Sequence, residues 1–387
     1  MAGRASTGPL KFCCDVDQPV LLSVLAKRNW LRVEPDQDWN IYWASVAGVR
    51  AVFSADYGSR LSDHQRINHF ATHSELTRKD LMAKHMKRYR RDLNKTSSDG
   101  EASGAIPDLV PPTFVLPRDY NMFVDEFRKT GPSMWIVKPC GKAQGVGISI
   151  VNKPSQVKEQ KTNVTSSWDS QGTKEPHVVC RYLERPLLVG GRKFDLRLYA
   201  LVTSFRPLRA YLYRRGFCRF CQLRYSLQDL TDPLVHLTNV SVQRQGGRYN
   251  SQHGGKWDLT SLELWVRGTR GARAADKLWQ DLRQVVAHSL RAVAGAMLSD
   301  WHCFECYGYD ILLDEQLRPW LLEVNASPSL TCSAPGDWLL KESMLDDLFE
   351  IVAPHGELRS ARNAAPEPAQ QGGFELLLPE EAATSKT

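Results

Sequence analysis

The sequence predicts a mixed α/β protein of the α+β kind, with strands concentrated in the middle of the chain and helices after them. Short apolar runs and period-two alternation predict strands at 134–137, 148–151, 177–183, 194–202 and 208–220. Helical spacing of apolar residues predicts helices at about 259–267 and 275–298, and a hairpin follows them. Three more helices are predicted from local pattern, at 18–27, 119–129 and 337–352.

With 387 residues the chain is long enough for a large core and two or three subdomains. We expect an N-terminal subdomain of residues 1–96, a central one of 113–184 and a C-terminal one of 185–354. Residues 97–112 are rich in Ser, Gly, Asp and Pro and predict a connecting loop, and the polar stretch 153–176 predicts a mobile one. From residue 355 Ala, Pro, Gln, Gly and Glu dominate, so 355–387 should be a mostly disordered tail.

Composition narrows the class of protein. The N-terminal 19 residues contain no apolar signal-peptide core, and no stretch approaches 18 uncharged apolar residues, so we expect neither secretion nor membrane spanning. The nine cysteines are odd in number and scattered, which is typical of reduced cytosolic thiols. Two Cys-x-x-Cys pairs, at 218–221 and 303–306, have zinc-like spacing. Because residues three apart on a strand point to opposite faces, packing is the better interpretation.

The chain is basic overall, with 50 Lys and Arg against 43 Asp and Glu, a net charge of +7 and a pI near 8.9. Residues 77–95 hold eight of the basic residues and two acidic ones, and their apolar residues lie at helical spacing. This segment is either a solvated helix face or a docking surface for a polyanion. No nucleic-acid-binding motif accompanies it, so no nucleic-acid partner is expected, and an acidic peptide fits the charge equally well.

A glycine-rich loop joins two predicted strands in the segment WIVKPCGKAQGVGISI, residues 135–150. Glycines allow main-chain N–H groups to approach phosphate oxygens, and Lys138 places a positive charge nearby. The loop is neither a Walker loop nor a Rossmann fingerprint, and an ordinary hairpin turn is the alternative interpretation.

Downstream, the segment GGRKFDLRLYALV carries a polar face on a predicted core strand. Alternation places Lys193, Asp195 and Arg197 on one face of this strand. Two cations suit phosphates and one carboxylate suits ribose hydroxyls, although a solvated face with local ion pairs is the alternative. Arg219 and Lys256 are candidates to bind substrate carboxylates, since Arg can form two hydrogen bonds to one carboxylate.

The hairpin at residues 307–329 carries the third candidate site. If Asp314 faces Pro319 across the turn, the same register pairs Asp310 with Glu323, and Glu323 shares a face with Asn325. Three hard oxygen ligands then converge, which suits Mg²⁺ better than zinc. The alternative is a solvated hairpin with polar ends.

Together, the lysine with its glycine loop, the polar strand and the magnesium hairpin describe an ATP-grasp enzyme. The sequences of these segments and their order resemble those of the tubulin tyrosine ligase-like family, and most of all its polyglutamylase branch. The resemblance extends from about residue 30 to 355 and rests on the motifs WIVKPCGKAQGVGI, GGRKFDLRLY, GFCRF, HLTNVSVQ, HGGKW, CFECYGYDILLD and PWLLEVNASPSL.

The resemblance implies a role for each matching residue. It implies that Arg197 and Glu323 are catalytic, and that Asp310, Glu323 and Asn325 bind two Mg²⁺ ions. It implies that free glutamate and its acceptor are held by Gln144, Arg219 and Lys256. The residues implied to bind ATP are Lys138, Gln144, Gly145, Cys180, Arg181, Tyr182, Leu183, Lys193, Phe194, Asp195, Thr238 and Asn239.

The implied reaction ligates free L-glutamate to side-chain carboxylates in the acidic C-terminal tails of tubulin, through an acyl phosphate made with ATP. Ligation of glycine or tyrosine, or a non-catalytic tubulin-binding scaffold, are the alternatives. Arg219 and Lys256 favour an acidic amino acid, because glycine has no side-chain carboxylate to bind.

Two departures from the family pattern bear on activity. Val146 stands where relatives commonly have a cation in the phosphate loop, so one phosphate contact is expected to be lost. No basic microtubule-binding segment follows residue 352, so non-catalytic partner subunits are expected to help targeting. The implied location is the cytoplasm and its cytoskeleton, on microtubules and at the ciliary axoneme and basal body.

Overall fold

A computed structural model of the protein confirms a mixed α/β fold. Within the described residues the strands form three sheets. None of the helices in those ranges is long and apolar enough to cross a membrane. The structure describes residues 8–54, 60–96, 108–142, 144–157, 176–247, 249–250, 252–358 and 369–378.

The first sheet is parallel, in the order β2-β1-β3-β4. Its last strand joins the rest of the molecule, because the Ile67 N–H donates to the His302 carbonyl at 2.8 Å and the Phe304 N–H donates back to Ile67 at 3.0 Å. The helices predicted at 18–27 and 77–95 are confirmed. The elements of this part are β1 (Lys11–Cys14), α1 (Pro19–Lys27), β2 (Leu31–Arg32), β3 (Ile41–Trp43), α2 (Val46–Val52), β4 (Arg66–Ile67), α3 (Ser74–Thr77) and α4 (Lys79–Thr96).

The second sheet is antiparallel, in the order β5-β8-β6-β7. One amphipathic helix covers it, and Phe123 on that helix is fully buried with its ring centroid 5.1 Å from that of Trp135. Three predicted strands and the predicted helix are confirmed here. The elements are β5 (Thr113–Leu116), α5 (Tyr120–Thr130), β6 (Trp135–Pro139), β7 (Ser149–Val151) and β8 (His177–Arg181).

The third sheet is the largest and is antiparallel throughout. Its centre is β10, which pairs with β14 along one edge and with β12 and then β11 along the other. Its elements are β9 (Leu188–Val189), β10 (Arg192–Phe205), β11 (Leu208–Tyr213), β12 (Phe217–Phe220), α6 (Pro233–His236), α7 (Val240–Gln243), β13 (Lys256–Asp258), α8 (Leu259–Arg270), α9 (Ala272–Ala294), β14 (Glu305–Leu313), β15 (Pro319–Asn325), α10 (Pro335–Val352), β16 (Gln370–Gln371) and β17 (Phe374–Leu378).

The two faces of β10 explain where the site lies. Leu196 and Leu198 on one face are buried in the core formed with α9. On the other face the far end, Tyr199 and Leu201, packs in the core that includes α10. The near end of that same face carries the predicted polar residues, so the polar site adjoins an apolar core on one strand.

Two predictions need correction. The strand predicted at 208–220 is interrupted at residues 214–216, where a Cβ on Gly216 would lie 2.5 Å from the Arg197 carbonyl oxygen. Disorder from residue 355 onward is wrong for 370–378, because β17 pairs with β11 and Phe374 is fully buried, 4.7 Å from the Tyr213 ring. The prediction rested on the average composition of the whole tail, and that average does not reveal the short apolar run that covers the sheet edge. The predicted loops at 97–112 and 153–176 lie mostly outside the described residues.

Candidate active site

A cleft lies where the second sheet, the third sheet and α4 meet, and the structure brings most of the predicted site residues to it. Four predicted residues do not line it: Phe194, Arg197, Lys256 and Asn325. The Phe194 side chain is buried on the opposite face of β10, 5.0 Å from the Phe220 ring, so only its main chain could reach a nucleotide. The predicted residues that line the cleft are Lys138, Gln144, Gly145, Cys180, Arg181, Tyr182, Leu183, Lys193, Asp195, Arg219, Thr238, Asn239, Asp310 and Glu323.

The glycine-rich loop bends sharply at the mouth of this cleft. Gln144 and Gly145 have φ of 60° and 83°, in the left-handed region that favours glycine. A Cβ on Gly145 would meet Val242 at 3.0 Å and Asn239 Oδ1 at 3.2 Å, so residue 145 must be small. The Ser241 hydroxyl donates to the Gln144 carbonyl at 2.9 Å, which fixes the loop against α7. Main-chain N–H groups in such a bend can face an anion.

Lys193 is held from two sides in the interior of the cleft. Its ammonium donates to the Tyr182 hydroxyl at 3.0 Å and to the His236 carbonyl at 2.9 Å. It also lies 4.5 Å from the centroid of the Tyr182 ring. Burial lowers the pKa of Lys193, and among the described residues no carboxylate forms a close ion pair with its ammonium. A bound phosphate would supply the missing negative charge.

Two rows of residues across the third sheet form the charged centre of the site. In one row Lys256 on β13 faces Arg219 on β12, which faces Asp195 on β10. In the second row Arg197 on β10 faces Asp310 on β14, which faces Glu323 on β15. Successive side chains on one face of a strand are two residues apart, so the two rows are neighbours.

Arg219 joins the rows. It donates to Asp195 through Nε at 2.8 Å and Nη2 at 2.5 Å, and Nη2 lies 2.8 Å from Asp310 Oδ2. Arg197 Nε donates to Asp310 Oδ1 at 2.6 Å. Burial alone would raise the pKa of Asp310, but the two guanidinium groups hold it well below its ordinary value. Burial raises the pKa of Asp195, and Arg219 opposes that rise.

Lys256 stands beside Arg219, as predicted for a substrate-binding pair, but the head groups of both residues have protein partners. The Lys256 ammonium donates to Asp337 at 2.6 Å and to the Ser333 hydroxyl at 2.9 Å. The sequence prediction missed Asp337, because nothing local distinguishes it from any other residue in the first turn of a helix. The role of the pair toward glutamate stays a prediction.

The hairpin places Asp310 opposite Glu323 and Gly308 opposite Asn325, which confirms the predicted pairing at the metal end. The predicted register near the turn is wrong, because Leu313 and not Asp314 faces Pro319. The register shifts by one residue between Asp310 and Ile311, so that Asp310 still faces Glu323. Such a bulge re-aims the side chains next to it.

The donor set of this hairpin fits Mg²⁺. Asp310, Glu323 and Asn325 offer carboxylate and amide oxygens, the hard ligands that Mg²⁺ prefers. A cation is already attracted there, since Lys79 Nζ lies 3.1 Å from Glu323 Oε2. Over the described residues no group of three His, Cys, Asp or Glu side chains forms a metal cluster, so the amide oxygen would be needed.

Lys79 and Lys142 are charged residues of the cleft lining that the sequence prediction missed. Lys79 begins α4, and its side chain is only 12% exposed, although the whole run 77–95 was interpreted as a solvated helix face or a docking surface. Its ammonium also donates to the Lys142 carbonyl at 3.3 Å, which joins α4 to the phosphate loop. The apolar walls of the cleft were also missed; they include Met82, Ile136, Leu312 and Leu321.

Beyond Lys79, α4 presents an exposed cationic face. Its exposed basic residues are Lys84, Lys87, Arg88, Arg90, Arg91 and Lys95. Val146, in the place of a loop cation, is also exposed, at 57%.

Comparison with known proteins shows which family and which relatives the chain resembles. Residues 58–360 match the model of the tubulin-tyrosine ligase family. The chain is 45% identical over 355 residues to the probable alpha-tubulin polyglutamylase Ttll1 of Tetrahymena thermophila, covering 89% of this chain and 86% of that protein. It is 39% identical over 385 residues to the probable tubulin polyglutamylase TTLL9 of Rattus norvegicus, with 92% and 81% covered. The corresponding protein of Caenorhabditis elegans, ttll-9, is 38% identical, with 95% and 84% covered.

Proposed function

The chain belongs to the tubulin-tyrosine ligase family, and we propose that it is an ATP-dependent tubulin polyglutamylase. It adds L-glutamate to glutamate side chains in the acidic tails of tubulin. The observation that carries the proposal is the pair of charged rows across the third sheet, next to a glycine loop and two buried lysines. This arrangement supports a phosphate site in the cleft and a magnesium site and substrate-binding cations at or beside it.

ATP would bind between the second and third sheets, in the manner of an ATP-grasp fold. We propose for this fold the three subdomains expected from the sequence. The apolar walls would hold adenine, with the strand end at Cys180–Leu183 beside it. Lys138, Lys193 and the loop at Gln144 and Gly145 would hold the phosphates. Asp195, Thr238 and Asn239 would contact the ribose and complete the nucleotide site.

Asp310, Glu323 and Asn325 would hold two Mg²⁺ ions. When bound, these ions neutralise the phosphate charge and polarise the phosphoryl oxygens. Lys79 must then release Glu323, and we propose that its ammonium turns to the phosphates instead.

The chemistry has two steps. An acceptor carboxylate attacks the terminal phosphorus of ATP, so that an acyl phosphate forms and ADP leaves. The amine of free glutamate then attacks the acyl carbon, a C–N bond forms, and phosphate leaves. Arg197 would stabilise the charge of the transferring group, because a fixed guanidinium in a buried site needs no reorganisation.

The incoming glutamate would be held by Gln144, Arg219 and Lys256. To bind the substrate, Arg219 and Lys256 must either contact it while they stay paired with their present carboxylate partners, or exchange those partners for it. Arg219 is the stronger candidate, because the planar guanidinium can hold Asp195 and a substrate carboxylate at different edges.

The acidic acceptor tail would lie along the exposed cationic face of α4, which begins at the cleft with Lys79. An electrostatic surface of this kind accelerates association with an anionic chain and weakens with salt. We propose that non-catalytic partner subunits add to this targeting, and that the enzyme acts on microtubules, including those of cilia and basal bodies.

One incubation tests the proposal against ligation of glycine or tyrosine and against a scaffold role. The chain, alone and with candidate partner subunits, is mixed with tubulin, Mg-ATP and one labelled amino acid. We expect incorporation of glutamate only, and its loss in Glu323→Gln. Incorporation of glycine or tyrosine instead would refute the glutamate assignment, and tubulin binding with no incorporation would establish a scaffold.

A further inference from the structure

A recess separate from the cleft lies at the end of the first sheet. Its volume is about 220 Å³, below the roughly 300–1,000 Å³ of pockets that hold drug-sized ligands. One wall consists of residues that follow the strands of the first sheet, and the other is the loop 326–330, which follows the metal strand β15. None of the roles proposed above uses this recess, and its size suits a single side chain.

The recess lies at the part of a parallel sheet that commonly binds ligands. The strand order β2-β1-β3-β4 means that the chain moves outward through α1 on one side and through α2 on the other, so the direction reverses between β1 and β3. Ligands bind outside the carboxyl ends of the strands at such a point of reversal. Val16 and Gln18, which follow β1, and Trp43, which ends β3, all line the recess.

The recess suits an apolar ligand, because most of its polar side chains are already paired within the protein. Asn68 accepts from the Ala44 N–H at 2.8 Å and donates back to the Ala44 carbonyl at 3.2 Å. The Ser45 hydroxyl donates to Asp15 at 2.6 Å, and the Ser329 hydroxyl accepts from a main-chain N–H of its own loop at 3.3 Å. A ligand would therefore meet mainly the apolar part of the lining.

That apolar part is held in place by the core. The Trp43 ring centroid lies 6.0 Å from that of Phe349 and 6.3 Å from that of Phe304. Leu330 is buried, whereas Val16 is 52% exposed and so lies at the mouth. Among the described residues that line the recess there is no Asp, Glu, Lys, Arg or His. The lining therefore offers no charge to bind an ionic side chain.

A carboxylate beside the recess disfavours an anionic side chain. Asp15 precedes Val16 and accepts from the Tyr42 hydroxyl at 2.5 Å and from the Ser45 N–H at 2.7 Å, besides the Ser45 hydroxyl. All three donors are neutral, so these bonds do not cancel its charge. A glutamate side chain in the recess would be repelled by Asp15. The recess thus favours an uncharged residue even within an acidic peptide.

One strand connects the recess to the reaction centre. Cys306 lines the recess, and Gly308 and Asp310 follow it at intervals of two on the same face of β14. Pro328 in the recess wall packs on Gly308, where an added Cβ would lie 2.8 Å from Pro328 and 3.4 Å from the Arg197 guanidinium. Four residues of strand span about 13 Å. An extended peptide with its acceptor glutamate at Asp310 would therefore reach the recess about four residues away.

We propose that this recess is a second site for the acceptor chain, which binds an apolar side chain about four residues from the modified glutamate. The inference rests on the proposed ligase function and adds a specificity determinant to it. The cationic face of α4 attracts any acidic chain, whereas the recess fixes the register of that chain and so selects which glutamate is modified.

Synthetic acceptor peptides test this register. Each consists of aspartates with one glutamate and one leucine, and the leucine stands at varied distances on either side of the glutamate; the reference peptide has serine for leucine. The peptides are incubated with the full chain, its candidate partner subunits, Mg-ATP and labelled glutamate. Leucine about four residues away on one side should raise kcat/KM roughly tenfold over the reference, the factor expected for burial of one such side chain. Leucine at twice that distance should give no gain.

Two substitutions test whether the recess causes the preference. Ser329→Trp fills the recess from an exposed loop position, and Val16→Asp adds a charge at its mouth. Both should reduce the ratio of kcat/KM between the two peptides to near 1, and partial loss of folded protein does not change that ratio. Matched controls are Thr331→Trp, which is exposed just beyond the loop, and Leu31→Asp, where Leu31 is 53% exposed on β2. Both controls should keep the preference.

Three results would overturn the recess as an acceptor site. The first is equal kcat/KM of the wild type for all peptides, and the second is a leucine preference that survives in both Ser329→Trp and Val16→Asp. The third is loss of a partner subunit from these variants with the preference retained, which would make the recess a subunit interface. Intact tubulin in the same assay tests the ligase separately. No incorporation there refutes the proposed function, whereas ligation of tubulin without any leucine preference refutes the recess alone.

Discussion

Replacing Arg219 by methionine should destabilise the protein more than any comparable change at its surface. This guanidinium is 7% exposed and contacts two carboxylates, Asp195 and Asp310, which are each 3% exposed. Together with Arg197 the cluster holds two positive and two negative charges. Methionine keeps most of the volume and removes one positive charge, so one buried carboxylate loses its neutralising partner.

The magnitude follows from the contacts. Two unit charges about 4 Å apart attract by about 4 kcal/mol at an effective dielectric constant near 20. Two carboxylates therefore give Arg219 a gross attraction of about 8 kcal/mol, against which stands several kcal/mol for desolvating the guanidinium. We expect a loss of about 3–5 kcal/mol in the free energy of unfolding, the range found when a buried ion pair loses one member.

The loss should depend on pH in a defined direction. In the wild type the depressed pKa of Asp310 contributes stability that is present above its unfolded pKa near 3.8 and is lost as pH falls toward the folded value. Without Arg219, Asp310 still has Arg197, but Asp195 loses the guanidinium that opposes the burial-driven rise of its pKa. Protonation of Asp195 then relieves the unpaired charge. The difference between mutant and wild type should therefore shrink between about pH 7 and pH 4.5.

Denaturant unfolding at several pH values measures both effects. Arg267→Met is the matched control, because Arg267 also contacts two carboxylates, Glu263 and Asp276, but at the exposed surface. It should unfold like the wild type. An Arg219→Met protein with wild-type stability at neutral pH, or a difference that grows as pH falls, would refute the reasoning.

Two further predictions concern a buried lysine and the basic helix. Burial lowers the pKa of Lys341 to about 8, so the folded state binds fewer protons than the unfolded state between pH 8 and 10.5. Stability should rise by roughly 3 kcal/mol across that range, and denaturant unfolding of Lys341→Met should show no such rise. Lys87→Glu with Arg91→Glu should raise KM for tubulin several-fold and flatten its salt dependence in the glutamate-incorporation assay, with little change in kcat. Lys277→Glu on α9 should leave KM unchanged; an equal effect would mean that net charge alone matters.

Much of the fold follows from local pattern. Helices α1, α4, α5, α8, α9 and α10 and three of the four strands of the second sheet, β6, β7 and β8, lie within a few residues of their predicted positions, because apolar spacing records which face is buried. The glycine loop is equally local, since Gly145 needs a left-handed backbone. The strand at 374–378 was not predicted. Its five apolar-rich residues lie in a polar tail, and their stability comes from pairing with β11, which a local pattern does not reveal.

The sequence by itself determined which side chains share a face of one strand: Lys193 with Asp195 and Arg197, and Glu323 with Asn325. That follows from a two-residue period and needs no partner. Only the tertiary structure decided which strands lie side by side, and so which charges meet. It placed Arg219 between Asp195 and Asp310, Lys256 on Asp337, Lys79 on Glu323 and His69 against Ser327. Those contacts join residues up to 258 positions apart, and no local period can encode them.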